Sequence, residues 1–267
     1  MKKVLALLLV FFCYLDSGYS QSVPEVHCKH VYLGMPLGTA PTNDLIIRDN
    51  YSLSSNDSTK FADWVAYRLE KKLIEGTAPD RVWKADPWLS DEETLEPDDY
   101  RDASKIIHMD RGHLAPLASF KGSETCFETN YLSNITPQKI DLNRGVWKQL
   151  EERERKLLDT FETIFVITGP LYEKNMPKLP NADENHIIPS GFWKIIIFPI
   201  TQKKFEAVAF IFEQSVDYNC KFIDHLKSID EIEKRSRLDF FPQLDDATED
   251  KIEKEPNKRW AQKFFNN

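Results

Sequence analysis

One short segment of the chain brings a histidine, a carboxylate, a guanidinium and a glycine next to one another. Asp110, Arg111, Gly112 and His113 follow directly on each other at the end of a predicted strand. Histidine has an ordinary pKa near neutrality, so it can take a proton from water. Arginine can face a phosphate with two parallel N–H donors, and glycine lets the backbone turn or pass close to a ligand. The segment is therefore suited to a hydrolytic site that contacts a phosphate.

A second set of polar residues lies on the apolar side of a predicted helix over residues 141–161. At 100° per residue, Asn143, Glu151 and Glu154 fall on the same side as Trp147. Burying an amide and two carboxylates there costs free energy unless they have partners. An asparagine oxygen is a suitable ligand for Mg²⁺, which keeps most of its waters. Because Asn143 and Glu151 would be about 12 Å apart along a continuous helix, we expect Asn143 as the ligand and Glu151 as a group that holds a metal-bound water.

Each of these residues also has an ordinary structural interpretation. A histidine at a strand end is more often a hydrogen-bonded structural group, and an asparagine at a helix start is more often a cap. Arg153 and Arg155 would ordinarily be solvated charges on a helix. Taken alone, composition and periodicity predict only an exported α+β protein with a hydrolytic site.

The elements that must position these residues are mostly strands. Strands outnumber helices and do not alternate strictly with them, which favours an α+β fold with a central antiparallel sheet flanked by helices. The strands are expected where β-branched and aromatic residues are frequent, at residues 106–109, 131–135, 163–169, 192–200 and 205–212. The two predicted helices are residues 56–74 and 141–161.

The composition is that of an ordinary globular protein. Of 267 residues, 41% are hydrophobic and 29% are charged, which excludes collagen, a coiled coil and wholesale disorder. The net charge is −8, whereas a protein that holds nucleic acid by bulk charge is basic. Any site for a polyanion must therefore be a local basic patch. Because no repeat or low-complexity linker divides the chain, a single domain over residues 21–267 is predicted.

The first twenty residues have the pattern of a secretory signal. Lys2 and Lys3 precede an apolar run over residues 4–13, and Gly18 and Ser20 are small residues before a predicted cleavage. The run is too short to span a bilayer core of about 30 Å. We predict a secreted or periplasmic protein with no membrane attachment after removal of residues 1–20. An uncleaved N-terminal anchor is the alternative.

Export would permit disulfides, but the cysteine count is odd. Beyond the predicted signal the chain holds Cys28, Cys126 and Cys220, so one thiol would be left over. The sequence does not choose among the three pairings.

The tetrad Asp110-Arg111-Gly112-His113, with Ala115 and Pro116 shortly after it, resembles the signature of the DNA/RNA non-specific endonucleases of the ββα-metal superfamily. The resemblance covers residues 44–238 and implies the ββα-metal nuclease fold. Further segments resemble the secreted bacterial branch of that family in the same order: FADWVAYRLEKK, RVWKADP, YLSNITPQKIDLNRGVW, ERERKL, ITGPLYE, HIIPSGFWK and IDEIEKRSRL.

The resemblance implies a secreted endonuclease that hydrolyses phosphodiester bonds of single- and double-stranded DNA and RNA to 5′-phosphate oligonucleotides, without strong sequence specificity. His113 matches the general base that activates water. Asn143 matches the one protein ligand of a single Mg²⁺, for which Mn²⁺ can substitute. Glu151 matches the acidic group that orients metal-bound water.

The remaining matched positions are basic or polar. Arg81 matches the arginine that stabilises the charged transition state, while Arg111 and Arg155 match supporting basic positions. Asn134 matches a polar residue of the site near the metal.

Two departures from the family pattern accompany these matches. The branch usually has two disulfides, which three cysteines cannot form, and Leu114 stands where relatives often have glutamine. The sequence leaves a homodimer open. The alternative functions are a metal-dependent phosphodiesterase for a small substrate and a non-catalytic secreted protein that binds nucleic acid.

Overall fold

A seven-stranded antiparallel sheet forms the centre of the structure, a computed structural model that describes residues 26–201 and 204–266. Its strand order is β1-β2-β3-β6-β7-β8-β9. Strands β4 and β5 pair with each other in a separate antiparallel sheet. The strands are β1 (Asp44–Ile47), β2 (Ser52–Asn56), β3 (Phe61–Glu70), β4 (Met109–His113), β5 (Ile135–Lys139), β6 (Thr163–Leu171), β7 (Gly191–Thr201), β8 (Lys204–Glu213) and β9 (Leu226–Lys227).

Helices cover both faces of the large sheet. Alternate residues of β7 enter two different apolar clusters: Phe192 and Ile196 face one side, while Trp193 and Ile195 face the other. Because both faces are covered, the central strands are almost continuously apolar. The predicted α+β fold with a central antiparallel sheet is confirmed. The helices are α1 (Lys71–Ile74), α2 (Ala103–Ile106), α3 (Ile140–Leu142), α4 (Lys148–Leu157), α5 (Ile229–Ser236), α6 (Asp246–Glu253) and α7 (Lys258–Phe264).

The predicted strands at residues 163–169, 192–200 and 205–212 correspond to β6, β7 and β8. The strand predicted at residues 106–109 begins only at Met109, since α2 runs to Ile106. The strand predicted at residues 131–135 begins only at Ile135, because Leu132–Asn134 form a 3₁₀ turn.

The helix predicted over residues 56–74 is wrong. Phe61–Glu70 form strand β3, and only Lys71–Ile74 are helical. Apolar residues at Phe61, Val65 and Leu69 repeat every four positions, which imitates a helix. The repeat arises because β3 pairs with a strand on each side and has both faces buried, so apolar residues occupy nearly every position.

The helix predicted over residues 141–161 exists, but it is interrupted. Helix α3 passes into a π-helical turn over Asn143–Trp147, and α4 continues from Lys148. Gly145 has φ −95° and ψ −116°, which is not helical. A Cβ atom at Gly145 would lie 2.5 Å from the carbonyl oxygen of Tyr218. Close approach of another backbone therefore requires glycine at the kink, and a straight helical wheel does not apply across it.

Strands β4 and β5 lead directly into this interrupted helix. His113 pairs with Ile135 in that two-stranded sheet, and the chain enters α3 immediately after β5. The resulting β-β-α unit places the end of β4 beside the start of the helix.

The sequence also made predictions about a signal segment, disulfides and membrane attachment. The predicted signal, residues 1–20, lies outside the described residues. Cys28, Cys126 and Cys220 are each unpaired in the structure. Within residues 26–201 and 204–266, none of the helices has the length and apolar character needed to cross a membrane.

We predict that Gly145→Ala destabilises the protein by about 1–3 kcal/mol, as expected when a side chain is forced into a packed space. The Cβ atom would collide with the backbone of Tyr218. Urea denaturation of the variant measures the change. Lys156→Ala, at an exposed position of α4, is the control and should change the free energy of unfolding by less than about 0.5 kcal/mol. Equal effects of the two substitutions would contradict the steric argument.

Candidate active site

His113 is held at the end of β4 by contacts on several sides. Its Nε2 atom lies 3.0 Å from the Oδ1 atom of Asn130, and its ring centroid is 5.3 Å from that of Trp83. The indole of Trp147 donates to the backbone oxygen of His113. Since Asn130 Oδ1 is an acceptor, Nε2 carries the proton and Nδ1 is the basic nitrogen. The ring is 9% exposed, so it is fixed in place at the edge of solvent.

The surroundings of His113 keep its ring neutral. Its pKa is lowered to about 4, mainly by burial and in smaller part by the positive charge of Arg81, while the hydrogen bond with Asn130 acts in the opposite direction. At neutral pH the imidazole is therefore free to accept a proton.

A carboxylate from the same strand fixes Asn143. The Nδ2 atom of Asn143 donates to Asp110 Oδ2 at 3.1 Å, and Arg144 donates to both oxygens of Asp110 at 2.6 and 2.8 Å. Burial acts to raise the pKa of Asp110, but these hydrogen bonds outweigh it, and the pKa falls below its ordinary value. Asp110 is thus a charged acceptor. Because it engages the amide nitrogen of Asn143, the amide oxygen is left as a neutral, hard donor.

Glu151 lies on α4 and has an unusual pKa. Burial raises it to about 7, even though the charges of Lys194, Arg155 and Arg81 act to lower it. One turn later, Glu154 is fully buried and accepts a hydrogen bond from Lys194 at 2.9 Å. A carboxyl group with a strongly raised pKa in a cleft is a candidate for a functional group.

Arg81 reaches the site from an irregular segment that is tied down behind it. Arg81 itself is exposed. In the same segment, Asp86 is buried and accepts hydrogen bonds from Arg48 at 2.5 Å and from Ser133. The backbone oxygen of Lys84 accepts from the N–H of Leu132 at 2.9 Å. The segment therefore has a fixed course although Arg81 is solvated.

The two other predicted arginines are each held by the protein. Arg111 donates to the backbone oxygen of Pro97 at 2.6 Å, and its guanidinium lies 5.2 Å from the ring of Tyr100. Arg155 donates to Ser119 Oγ at 3.3 Å. Gly112, next to Arg111, is required because a Cβ atom there would overlap the side chain of Gln138.

These groups meet in one cleft of about 560 Å³. All of the predicted site residues except Asn134 line it, and the basic residues in its wall outnumber the acidic ones. The residues named so far that line the cleft are Arg81, Trp83, Tyr100, Asp110, Arg111, His113, Asn143, Arg144, Glu151 and Arg155. Lys148 also lines it. The local basic patch that the acidic composition requires is therefore present.

Asn134 lies behind the cleft. It is fully buried, accepts from the N–H of Ala115 at 2.8 Å, and donates to the backbone oxygens of Ala115 and Thr129 at 2.9 and 2.8 Å. It therefore fixes the segment that follows His113.

Sequence reasoning missed the residues that position the predicted ones. Asp110 stands inside the recognised tetrad, so its place beside Asn143 could have been suspected. Asn130 carried no signal, and Trp83 stands in the matched segment RVWKADP, which gives no sign of a contact with His113. Both residues reach His113 from a 3₁₀ turn or an irregular segment that has no periodicity.

Residues 32–247 match the family model of the DNA/RNA non-specific endonucleases. The chain belongs to this family. It is 42% identical over 226 residues to a nuclease of Serratia marcescens, with 84% of each protein covered. It is 29% identical over 209 residues to human mitochondrial endonuclease G, covering 74% of this chain and 69% of the relative.

A solved structure confirms the fold class. The crystal structure of an EndoG/EndoGI complex matches with a TM-score of 0.66 and 24% identity, covering 75% of this chain and 86% of the matched chain. The resemblance that the sequence indicated is thus confirmed. As a member of the non-specific endonuclease family, the chain is an endonuclease and a hydrolase.

The family is one of metal-dependent nucleases, and the donors in the cleft suit a hard cation. The amide oxygen of Asn143 and the carboxylate of Glu151 are oxygen donors, whereas tetrahedral Zn²⁺ sites use several histidine or cysteine ligands. A cation with few protein ligands that retains its waters, such as Mg²⁺, fits this donor set. Acidic groups close enough to share a cation also occur elsewhere in the structure.

We predict that His113 titrates with a pKa of about 4 in the metal-free endonuclease. The unfolded histidine has a pKa near 6.5, so its contribution to stability is complete above pH 6.5 and is lost as the pH falls towards 4. An NMR titration of the ring proton on Cε1, assigned with His113→Ala, measures this. Arg81→Ala should raise the value because a repelling charge is removed. A midpoint near 6.5 in the native protein would contradict the burial argument.

Proposed function

We propose that the chain is a sugar-non-specific endonuclease that cuts single- and double-stranded DNA and RNA and leaves 5′-phosphate oligonucleotides. The observation that carries this proposal is the common cleft, where a neutral histidine, a pre-oriented asparagine and several arginines face one space. A base, a site for a hard cation and guanidinium groups can together catalyse phosphodiester hydrolysis, by activating water and by stabilising the charge of the transition state.

His113 acts as the general base in this proposal. Its Nδ1 atom takes the proton of the water that attacks phosphorus, while Asn130 holds the protonated Nε2. Burial disfavours the positive charge that this proton places on the ring. The ring therefore passes the proton on to solvent before the next turnover. Packing against Trp83 keeps the ring from rotating away.

The arginines recognise the phosphate rather than the bases. Arg81 stabilises charge that develops at the phosphate in this proposal, which is supported by the effect of its charge in lowering the pKa of both His113 and Glu151. Arg111 and Arg155 support the phosphate from fixed positions. Contacts with the phosphate backbone of a nucleic acid carry no sequence information. We therefore expect binding of the substrate to depend weakly on its sequence and strongly on salt concentration.

Asn143 would hold Mg²⁺ or Mn²⁺ through its amide oxygen, and Glu151 would orient a water of that ion. When bound, the cation polarises a phosphoryl oxygen and neutralises the leaving 3′-oxygen. Asp110 contributes by holding the amide of Asn143 in one orientation. Asn134 supports the backbone after His113 through its hydrogen bonds with Ala115.

The proposal includes the predicted location and organisation of the chain. Residues 21–267 form one domain, and the protein acts outside the cytoplasm, either secreted or in the periplasm, after loss of residues 1–20. DNA and RNA are its partners as substrates.

The test of this function is cleavage of supercoiled plasmid and of RNA by His113→Ala, with and without EDTA. Loss of a general base lowers the rate by about 10²–10⁴-fold, and EDTA should abolish the activity of the unaltered protein. His108→Asn is a matched control, because His108 is exposed and lies outside the cleft. Activity of His113→Ala within a few-fold of the unaltered protein, or full activity in excess EDTA, would refute the proposal.

A further prediction concerns Asp110. In Asp110→Asn, the orienting charge beside Asn143 is lost, so the Mg²⁺ concentration for half-maximal activity should rise by about 10–100-fold. Arg144→Ala removes only the exposed partner of Asp110 and should change that concentration by less than about threefold. Metal titrations of both variants decide the matter. If Arg144→Ala has the larger effect, the salt bridge rather than the amide contact positions the metal ligand.

A further inference from the structure

Three carboxylates meet on the side of the sheet that carries α5 and α6, away from the cleft. Asp230 and Glu233 belong to α5, and Glu253 is the last residue of α6. One oxygen from each lies within 4.8 Å of the others. None of the three lines the proposed active site. We call these residues the α5–α6 cluster.

Glu253 is the unusual member of the α5–α6 cluster. It is 3% exposed, and its Oε1 atom is buried without a hydrogen-bond partner. Leaving a buried carboxylate oxygen unpaired is costly. One oxygen of Glu253 lies within 4.8 Å of an oxygen of Asp230 and of Glu233, so this buried group is turned towards two other carboxyl groups.

The charges around Glu253 are of one sign. The pKa of Glu253 is raised to about 9, first by burial and then by the acidic neighbours Glu233, Glu249, Asp230 and Asp239. The pKa of Glu233 is also raised, to about 7, first by burial and then by acidic neighbours. Such an arrangement is relieved either by a shared proton or by a bound cation.

The geometry of the other two carboxylates favours a cation. The N–H of Phe240 donates to Glu233 Oε1 at 2.8 Å, so one oxygen of Glu233 is fixed and the other remains available. Asp230 is exposed in the first turn of α5, which provides a path from solvent. Oxygens that share a Ca²⁺ ion lie about 2.3–2.6 Å from it, and hence at most about 5 Å from one another.

We propose that Asp230, Glu233 and Glu253 bind a Ca²⁺ ion that fastens α6 to α5. Ca²⁺ accepts six to eight oxygens in irregular geometry, and water can complete the set on the open side at Asp230. Mg²⁺ demands compact octahedral geometry and gives up its waters reluctantly, so it fits a cluster of separate side chains from two helices less well. The site is structural and independent of the proposed nuclease chemistry.

The experiment measures thermal unfolding and calorimetric Ca²⁺ binding of the full chain at pH 8, after removal of metals. Asn143→Ala is present in one arm, so that binding at the proposed catalytic site does not contribute. At free Ca²⁺ near 100 times Kd, we expect one bound ion and a rise in Tm of about 5–10 °C. Mg²⁺ at the same concentration should give a much smaller rise.

Glu253→Gln separates a bound cation from a shared proton. It should abolish the Ca²⁺-dependent rise and raise the Tm of the metal-free protein, because a buried repelling carboxyl group is gone. Asp230→Asn, at an exposed position that folding tolerates, should also weaken the Ca²⁺ response. Glu93→Gln is the matched control, since Glu93 belongs to a more exposed cluster with Asp44 and Asp57 and should leave the response unchanged.

Three results would overturn the proposal. They are no Ca²⁺ binding in the Asn143→Ala arm, a Ca²⁺-dependent rise that persists in Glu253→Gln, and an equal rise with Mg²⁺. If the cluster is neutralised only by protons, the Tm should fall as the pH rises from about 4.5 towards 9 and level off above it, and Ca²⁺ should not restore it. Nuclease activity of Glu253→Gln at 25 °C should equal that of the unaltered protein, so failure of the Ca²⁺ site and failure of the nuclease assignment are distinguishable.

Discussion

A single carboxylate joins the strand that carries the histidine to the helix that carries the asparagine. Asp110 precedes His113 by three residues on β4, and it accepts hydrogen bonds from both Asn143 and Arg144. One side chain therefore fixes the position of strand β4 relative to the start of the interrupted helix, although the two are distant in sequence. The kink at Gly145 lies two residues after Asn143, where the close approach of the Tyr218 backbone leaves room only for glycine.

Behind this contact, the helix is anchored by charges inside the core. Lys194 and Glu154 are fully buried, lie 2.9 Å apart, and share Tyr67 as a hydrogen-bonding neighbour. Lys194 also lies 4.4 Å from the centre of the Trp147 ring. A buried ion pair of this kind adds little net stability, but removing one partner is expensive. The pair defines how α4 lies on the sheet and therefore where Glu151 faces the cleft.

Much of this arrangement could be predicted from the sequence, and the failures have clear causes. Strands β6 to β8 were predictable because apolar, β-branched runs between turn residues are typical of buried strands and rarely adopt another secondary structure. Strand β3 was mistaken for a helix because burial of both faces removes the alternation that marks a strand. A buried strand and a buried helix can therefore carry the same local pattern.

The site was predictable in its reactive groups but not in their supports. His113 and Asn143 stand in recognisable motifs, and Trp83 lies in the matched segment RVWKADP, but no motif reveals that tertiary folding brings Asn130 and Trp83 against His113. Asn134 matched a family position. Its hydrogen bonds to the backbone of Ala115 and Thr129 show that it holds the main chain in place, which no motif reveals. The α5–α6 cluster was equally hidden, since Asp230 and Glu253 come together only when two helices pack.

The unpaired cysteines have a consequence for how the protein holds together. Cys28, Cys126 and Cys220 are all free thiols, so no covalent cross-link restrains the unfolded chain over residues 26–201 and 204–266. Within these residues the folded state is therefore held by non-covalent contacts, chiefly its apolar clusters and buried polar groups, and not by cross-links. The free energy of folding of the described residues should therefore depend little on the thiol–disulfide potential of the surroundings.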